Sequence, residues 1–530
     1  MVEGRQETKL SEMPLKEKLI TETKSVCPEC DIINVLPAKI IEKQGKVFIQ
    51  KTCPLHGSFE ELYWGSADYY YRARDFLVEK GKGITTPQVK NPKPICPKSC
   101  GLCKDHLSHP ALTNIAVTNR CDLSCWYCFF FAEKAGYVYE PSMQQFDEMF
   151  ANLKAMKPVP CNALQFTGGE PTLREDLPEI MKLAKKQDFR HIQLNTNGIR
   201  LSKDLDFFKK LFEAGMNTIY LSFDGTSKQT NPKNHWEVPA FLENCRKVGF
   251  HSVVLVPTVI KGVNDNELFN IIKFAIDNLD VVRGVNFQPV SLVGRMPKKE
   301  REKHRITIPD CLDRISEQSN NVIYRDAFFP VPSVFTLSNF IEQLTDKPQY
   351  ELSNHFVCGA ATYLFIENDK ILPITDFVKV NELFKWLHKE TIELKKGKHK
   401  ALTALSLLTQ LGKFIDYKKQ PKLINVGKLL VDALLKHDYN SLGVFHKTSL
   451  FIGFMHFQDP YNYDVERVKR CNIMYAVPDG RVIPFCAFNV FPQAYRDRIQ
   501  KQFSLSFEEW EKKTGKKLKD DVYTRDKNLS

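Results

Sequence analysis

Three cysteines, Cys121, Cys125 and Cys128, stand at the spacing Cys-x3-Cys-x2-Cys. Their thiolates can hold three irons of a four-iron cluster and leave the fourth iron open. Ferredoxin clusters take four cysteines, so a loop of three, with Tyr127 just before the last, points to a small molecule chelated at the vacant iron. A zinc knuckle is the bland reading of the same spacing. A second group, Cys96, Cys100 and Cys103, precedes the loop by fewer than 20 residues, too few for a separate domain. It predicts an auxiliary iron–sulfur cluster whose fourth ligand is missing in sequence, with only His106 and His109 nearby. Cys27, Cys30 and Cys53 with His56 combine Cys-x2-Cys and Cys-x2-His spacing, the donor set for one tetrahedral zinc or iron ion in a structural role. Cys358, Cys471 and Cys486 lie far apart; convergence on a second auxiliary cluster and burial as free thiols are equal readings. Cys161, Cys245 and Cys311 read as core thiols.

Such groups need a frame. Strand-like runs at Leu112–Val117, Ala163–Phe166, His191–Leu194, Thr218–Phe223, Ser252–Val259 and Gly284–Pro289 alternate with helical patterns at the spacing of βα units. Six repeats predict an α/β fold with a partial (β/α)6 barrel and right-handed crossovers, whose chemistry sits at the strand C-termini. The polar motifs fall there. The three-cysteine loop leaves the first strand and Gly168-Gly169-Glu170-Pro171 the second. Asn195-Thr196-Asn197-Gly198, Ser222-Phe223-Asp224-Gly225 and the segment Val259 to Asp265 end the third, fourth and fifth. Each alone is an ordinary glycine-bearing turn; their common placement is the signal.

The chain has 530 residues, 43% hydrophobic and 26% charged, which excludes a disordered or collagen-like chain and a small disulfide scaffold. Fifteen cysteines, nine of them in three tight groups and with no secretory h-region ahead, read as metal ligands in a reducing compartment, so a cytoplasmic location is expected. No apolar run reaches the ~18 residues of a spanning helix. A net charge of +12 favours anionic partners, but no DNA- or RNA-reading motif is present. The expected organisation is a Cys-rich metal-binding region (1–85), a linker carrying the auxiliary cysteines (86–111), the barrel (112–300), an α+β C-terminal extension for auxiliary and substrate roles (301–510) and a charged, solvated tail (511–530).

The three-cysteine loop followed by Gly168-Gly169-Glu170-Pro171 resembles the radical S-adenosylmethionine (SAM) superfamily. The resemblance implies a 4Fe-4S cluster whose open iron binds the amino and carboxylate groups of SAM. It also implies a Gly-Gly-Glu-Pro turn that holds the amino group, with Tyr127, Asn197, Ser222 and Asp224 among the cofactor-binding residues. On this resemblance a donor such as flavodoxin or ferredoxin is expected to reduce the cluster, so that SAM splits homolytically and a 5′-deoxyadenosyl radical takes hydrogen from an unactivated carbon.

The order of cysteine motifs, with late segments such as Met455 to Tyr463 and Val477 to Cys486, resembles the branch that holds archaeal tetraether lipid synthases and class D SAM methylases. Ala111 and Phe454 depart from it where further cysteines are expected. On this resemblance the main expectation is coupling of isoprenoid chain ends. Methylation of a pterin or another small molecule is the alternative. The Lys- and Leu-rich stretch Leu383–Leu435 is then expected to lie on an anionic membrane surface, against a plain reading as amphipathic packing helices.

Overall fold

The computed structural model describes residues 17–89, 93–130, 135–294, 298–422, 424–432, 445 and 448–525. Near the N-terminus, β1 (Lys18–Val26), β2 (Val35–Lys43), β3 (Lys46–Cys53) and β4 (Gly57–Trp64) form an antiparallel meander. Its core face follows from alternation: Ala38 and Ile40, Val47 and Ile49 point inward. Gln44 and Gly45 turn the β2–β3 hairpin, both with positive φ (54° and 70°), as a two-residue type I′ turn requires.

The barrel follows. β5 (Leu112–Thr118), the short β6 (Val138–Tyr139), β7 (Ala163–Gly168), β8 (His191–Thr196), β9 (Thr218–Ser222), β10 (Val253–Val256), β11 (Thr258–Val259) and β12 (Val282–Pro289) come in that chain order. Six of them run parallel in the order β5-β7-β8-β9-β10-β12. The run expected as one fifth strand is broken into β10 and β11 at Pro257, which has no N–H for the ladder. Amphipathic helices such as Leu177–Lys186 and Leu205–Glu213 bury Ile180, Met181, Phe208 and Leu211 against the outer face of the sheet.

The C-terminal region adds β13 (Phe329–Pro330), β14 (Gly359–Glu367), β15 (Lys370–Pro373), β16 (Ser449–Met455), β17 (Ile473–Ala476), β18 (Val482–Pro484) and β19 (Ser504–Leu505). The sheet crosses the boundary expected at residue 300: β16 pairs parallel with β12 at one barrel edge, and β17 pairs parallel with β5 at the other. Residues 456–472 therefore pass from one edge of the barrel to the opposite one. Both exposed edges are thereby paired, which removes their open backbone groups.

Two further expectations meet the structure here. Helices Val380–Lys395 and Lys400–Phe414 bury Leu383, Leu387, Leu407 and Leu411 in a core of their own with Phe365 and Phe377, while Leu402, Leu405 and Leu408 stay exposed. Leu434 and Leu435 lie outside the described residues. The described part of the stretch after 511 is largely exposed, and it is also anchored on the barrel as far as Arg525, by an Asp521–Arg120 ion pair among other contacts; residues 526–530 lie outside the described residues. The partners of a Lys- and Asp-rich run lie far off in the chain and cannot be seen from its composition.

Candidate active site at the strand ends

A cavity of about 220 Å³ opens at the C-terminal ends of the barrel strands. Cys121, Cys125 and Cys128 line it together with Gly168, Gly169, Glu170, Asn197 and Ser222. Burial pushes the Cys125 thiol up to about 11, so binding of iron there is coupled to loss of a proton. Among the described residues no fourth cysteine or histidine lines the cavity, as an open cluster vertex requires.

The Gly-Gly-Glu turn owes its glycines to the neighbouring strand. A Cβ on Gly168 (φ 143°) would stand 2.0 Å from the Thr118 carbonyl oxygen, and one on Gly169 2.0 Å from that of Arg120. Gly169 N–H donates to Thr118 O at 3.0 Å and Glu170 N–H to Arg120 O at 2.7 Å. The turn is thus laced to the start of the cluster loop. Glu170 is buried; its Oε1 accepts from Thr172 (2.7 Å) and Thr196 (2.7 Å), and Oε2 from the Asn197 N–H (2.8 Å), leaving Oε2 with further acceptor capacity.

On the other side stands a group that motif reading missed in part. The Tyr127 hydroxyl donates to Asp224 Oδ2, and Lys233 Nζ reaches Asp224 Oδ2 at 2.7 Å, Ser222 Oγ at 2.5 Å and the Tyr127 hydroxyl at 3.2 Å. Asp224 Oδ1 accepts from the Thr258 N–H at 2.9 Å. Tyr127, Ser222 and Asp224 were expected; Lys233, in the loop after β9, carries no spacing signature. Asn234 beside it donates to the carbonyls of Asn197 and Ser222, both at 2.7 Å, joining the third and fourth strand ends. Deeper in, Asn114, Gln165, Thr167, Asn195, Tyr220 and Gln288 form a polar floor, while Met455, Phe457, Ile473, Tyr475 and Phe485 form an apolar wall. The wall comes from the C-terminal region, with Phe457 stacked on Phe485 at 4.0 Å.

The ribbon holds the second donor set. Nδ1 of His56 lies 3.4, 3.5 and 3.7 Å from the sulfurs of Cys27, Cys30 and Cys53, and the Cys30 and Cys53 sulfurs are 4.0 Å apart. Bonds of ~2.3 Å to one zinc place tetrahedral ligands ~3.8 Å apart, so the set fits a single ion. Asn34 Nδ2 lies 3.5 and 3.7 Å from two of the sulfurs, an outer contact that orients them. Replacing Cys53 by Ala is expected to remove this one metal ion, read by elemental analysis, while deoxyadenosine release persists, because the ribbon lies outside the cavity.

Cys96, Cys100 and Cys103 line one small pocket with His106 and Lys469. His109 is not the missing ligand: its Nε2 accepts from the Glu351 N–H (3.2 Å) and its Nδ1 faces Pro110 O (3.3 Å). His106 spends Nε2 on Cys471 O at 2.9 Å and keeps only Nδ1. Cys358, Cys471 and Cys486 gather near Arg467, whose Nε is 3.4 Å from the Cys358 sulfur, and Cys486 accepts from the Gln458 N–H at 3.5 Å. Phe454 stacks on Phe287 at 5.1 Å in the core, which is why no ligand stands there. Cys161, Cys245 and Cys311 are buried.

The chain matches the radical SAM superfamily over residues 115–275 and the HMPTM N-terminal zinc ribbon domain over residues 19–65. It is 45% identical over 499 residues to the 7,8-dihydro-6-hydroxymethylpterin dimethyltransferase of Methanocaldococcus jannaschii, covering 92% of this chain and 97% of the relative. It is 32% identical over 204 residues to the GTP 3′,8-cyclase of Aquifex aeolicus, covering 36% of this chain and 60% of the cyclase. The chain is a radical SAM enzyme, with the 4Fe-4S cluster and SAM which that chemistry uses. Within the superfamily it belongs to the family of the M. jannaschii protein. That relative bears the name of a pterin methylating enzyme, so the comparisons favour the alternative expectation over isoprenoid coupling. No helix among the described residues is long and apolar enough to cross a membrane.

Proposed function

We propose that this enzyme abstracts hydrogen to methylate a reduced pterin. The observation that carries the chemistry is the meeting of Cys121, Cys125 and Cys128 with Glu170, Asn197 and Lys233 at the mouth of one cavity. When bound, the cluster and SAM supply a 5′-deoxyadenosyl radical. Lys233, held by Asp224 and Ser222, would turn its third N–H from the Tyr127 hydroxyl to the carboxylate of SAM, and Glu170 Oε2, with a lone pair to spare, would accept from the amino group. Tyr127 packs against Ile260, Val290 and Leu292 and keeps water from that side. The polar floor suits the hydrogen-bonding edge of a pterin, and the stacked Phe457–Phe485 pair its flat face.

A second reading, coupling of isoprenoid chain ends, draws support from one observation: the wall from Met455 to Phe485 is apolar and bears no charged side chain. A protein electron donor such as flavodoxin or ferredoxin and one or two auxiliary clusters at the remaining cysteines belong to both readings; the substrate is a small molecule in the first and a lipid in the second. Contact with a membrane surface belongs to the second.

Deuterium transfer separates the two. Reduced, iron-reconstituted enzyme is expected to release deoxyadenosine on incubation with 7,8-dihydro-6-hydroxymethylpterin and a deuterated methyl or methylene donor, and mass spectrometry should find methylated pterin. Deuterium moving into deoxyadenosine from a labelled archaeal-type diether lipid, with the pterin unchanged, would overturn the pterin reading.

A further inference from the structure

The C-terminal segment 504–525 runs outside the cavity, yet it grips both loops that form the cavity mouth. β19 pairs antiparallel with β6. Helix Phe507–Thr514 follows, capped by Ser506 and Glu509, and Trp510 Nε1 donates to Glu140 at 2.9 Å. Arg120, directly before the first cluster cysteine, lies under this segment with its guanidinium 4.6 Å from the Trp510 ring. Its Nη1 donates to both oxygens of Asp521 at 2.7 Å, and its Nε to Glu140 at 2.8 Å. Directly after that cysteine, the Asp122 carbonyl accepts from the Tyr523 N–H at 3.0 Å. The residues on either side of Cys121 are therefore both tied to the segment.

Its last described turn reaches the opposite loop. The Tyr523 hydroxyl donates to Glu237 Oε1 at 2.7 Å, and Arg525 Nε to the same oxygen at 2.9 Å. Arg525 Nη2 lies 3.2 Å from the carbonyl of Lys233, and its guanidinium stacks 3.9 Å from the Trp236 ring. Cys121 and Lys233 line the cavity from its two sides, whereas Asp521, Tyr523 and Arg525 do not touch it.

We infer that residues 518–525 are a clasp that sets the separation between the cluster loop and the Lys233 loop, and with it the affinity for SAM. The inference rests on the radical SAM membership and not on the choice of substrate. Arg120, Asp521 and Arg525 are positioning residues: they act through Cys121 and Lys233. Charge-assisted hydrogen bonds between a terminal segment and two loops are strong enough to hold one geometry, and their loss lets the mouth widen.

The test uses the full-length, anaerobically reconstituted chain and three variants, Arg525→Ala, Arg525→Lys and Asp521→Asn. Iron content, thermal midpoint, SAM dissociation constant by calorimetry, and KM and kcat for deoxyadenosine release are each measured. Arg525→Ala is expected to raise the dissociation constant and KM for SAM about tenfold, the worth of one charge-assisted contact, with iron content and kcat held. Arg525→Lys should recover part of the loss, since it keeps the charge on Glu237 but not the stack on Trp236. Unchanged SAM affinity in folded, iron-loaded variants would overturn the clasp. A parallel fall of iron, kcat and thermal midpoint would also overturn it, making the segment a folding element only. Absence of deoxyadenosine from the wild type would instead tell against SAM cleavage, and the calorimetric arm would still decide the clasp.

Discussion

Reduced, iron-reconstituted protein carrying Cys125→Ser is expected to release no 5′-deoxyadenosine. Cys125 is the middle one of three thiols lining a cavity that, among the described residues, offers no replacement thiol or imidazole. Serine at this position is a poor ligand for iron, because its hydroxyl gives up a proton far less readily than a thiol. The cavity already pushes the thiol up to about 11 by burial, and the same burial would oppose an alkoxide more strongly. The variant should lose about four irons per chain, the content of one cluster. An ion bound by Cys27, Cys30, Cys53 and His56, the set that fits one, would remain, so the loss can be told from global misfolding. Deoxyadenosine release undiminished in this variant would refute the assignment of the cluster to this loop.

The second large effect is expected for Gly169→Ala. The new methyl would sit 2.0 Å from the Arg120 carbonyl oxygen and 2.6 Å from its carbon. Both are main-chain atoms of the cluster loop and cannot swing aside as a side chain would. The turn must back away, stretching the Glu170 N–H to Arg120 O and Gly169 N–H to Thr118 O bonds. Backbone strain plus two weakened buried hydrogen bonds amount to about 3–5 kcal/mol. Thermal unfolding should show that loss, and SAM turnover should vanish. Gly262→Ala is the control: its φ is positive (76°), unlike that of Gly169, but no atom lies within 4 Å of the added methyl, so a loss of about 1 kcal/mol from backbone conformation alone is expected. Equal stability of the two variants would show that close approach is not what glycine provides at position 169.

The reason for these glycines illustrates how far sequence reading reaches. Gly168-Gly169-Glu170-Pro171 was legible as a site element from its residue types and its place after a strand. The resemblance implied a turn that holds the amino group of SAM; what residue types alone did not show is that both glycines are needed for close approach to the neighbouring strand's exit. Lys233 shows the opposite failure. It enters the site because the loop after β9 folds back over the fourth strand end, and nothing in its neighbours along the chain announces that. Likewise, His109 stands near three cysteines in sequence, yet backbone groups of Glu351 and Pro110 occupy both its nitrogens.

By itself the sequence determined what is local and periodic. The donor sets of the ribbon and of the cluster loop are short-range patterns, since metal geometry demands ligands within a few residues of a turn. The six barrel strands are a repeat of alternating apolar runs and amphipathic helices. Tertiary structure alone decided which distant segments close the site. β16 and β17 seal opposite barrel edges, Phe457 and Phe485 meet across the cavity wall, and Arg525 reaches the Lys233 loop from the far end of the chain. Pairings at such separations depend on edge complementarity and buried charge, which are properties of surfaces that exist only once the chain has folded.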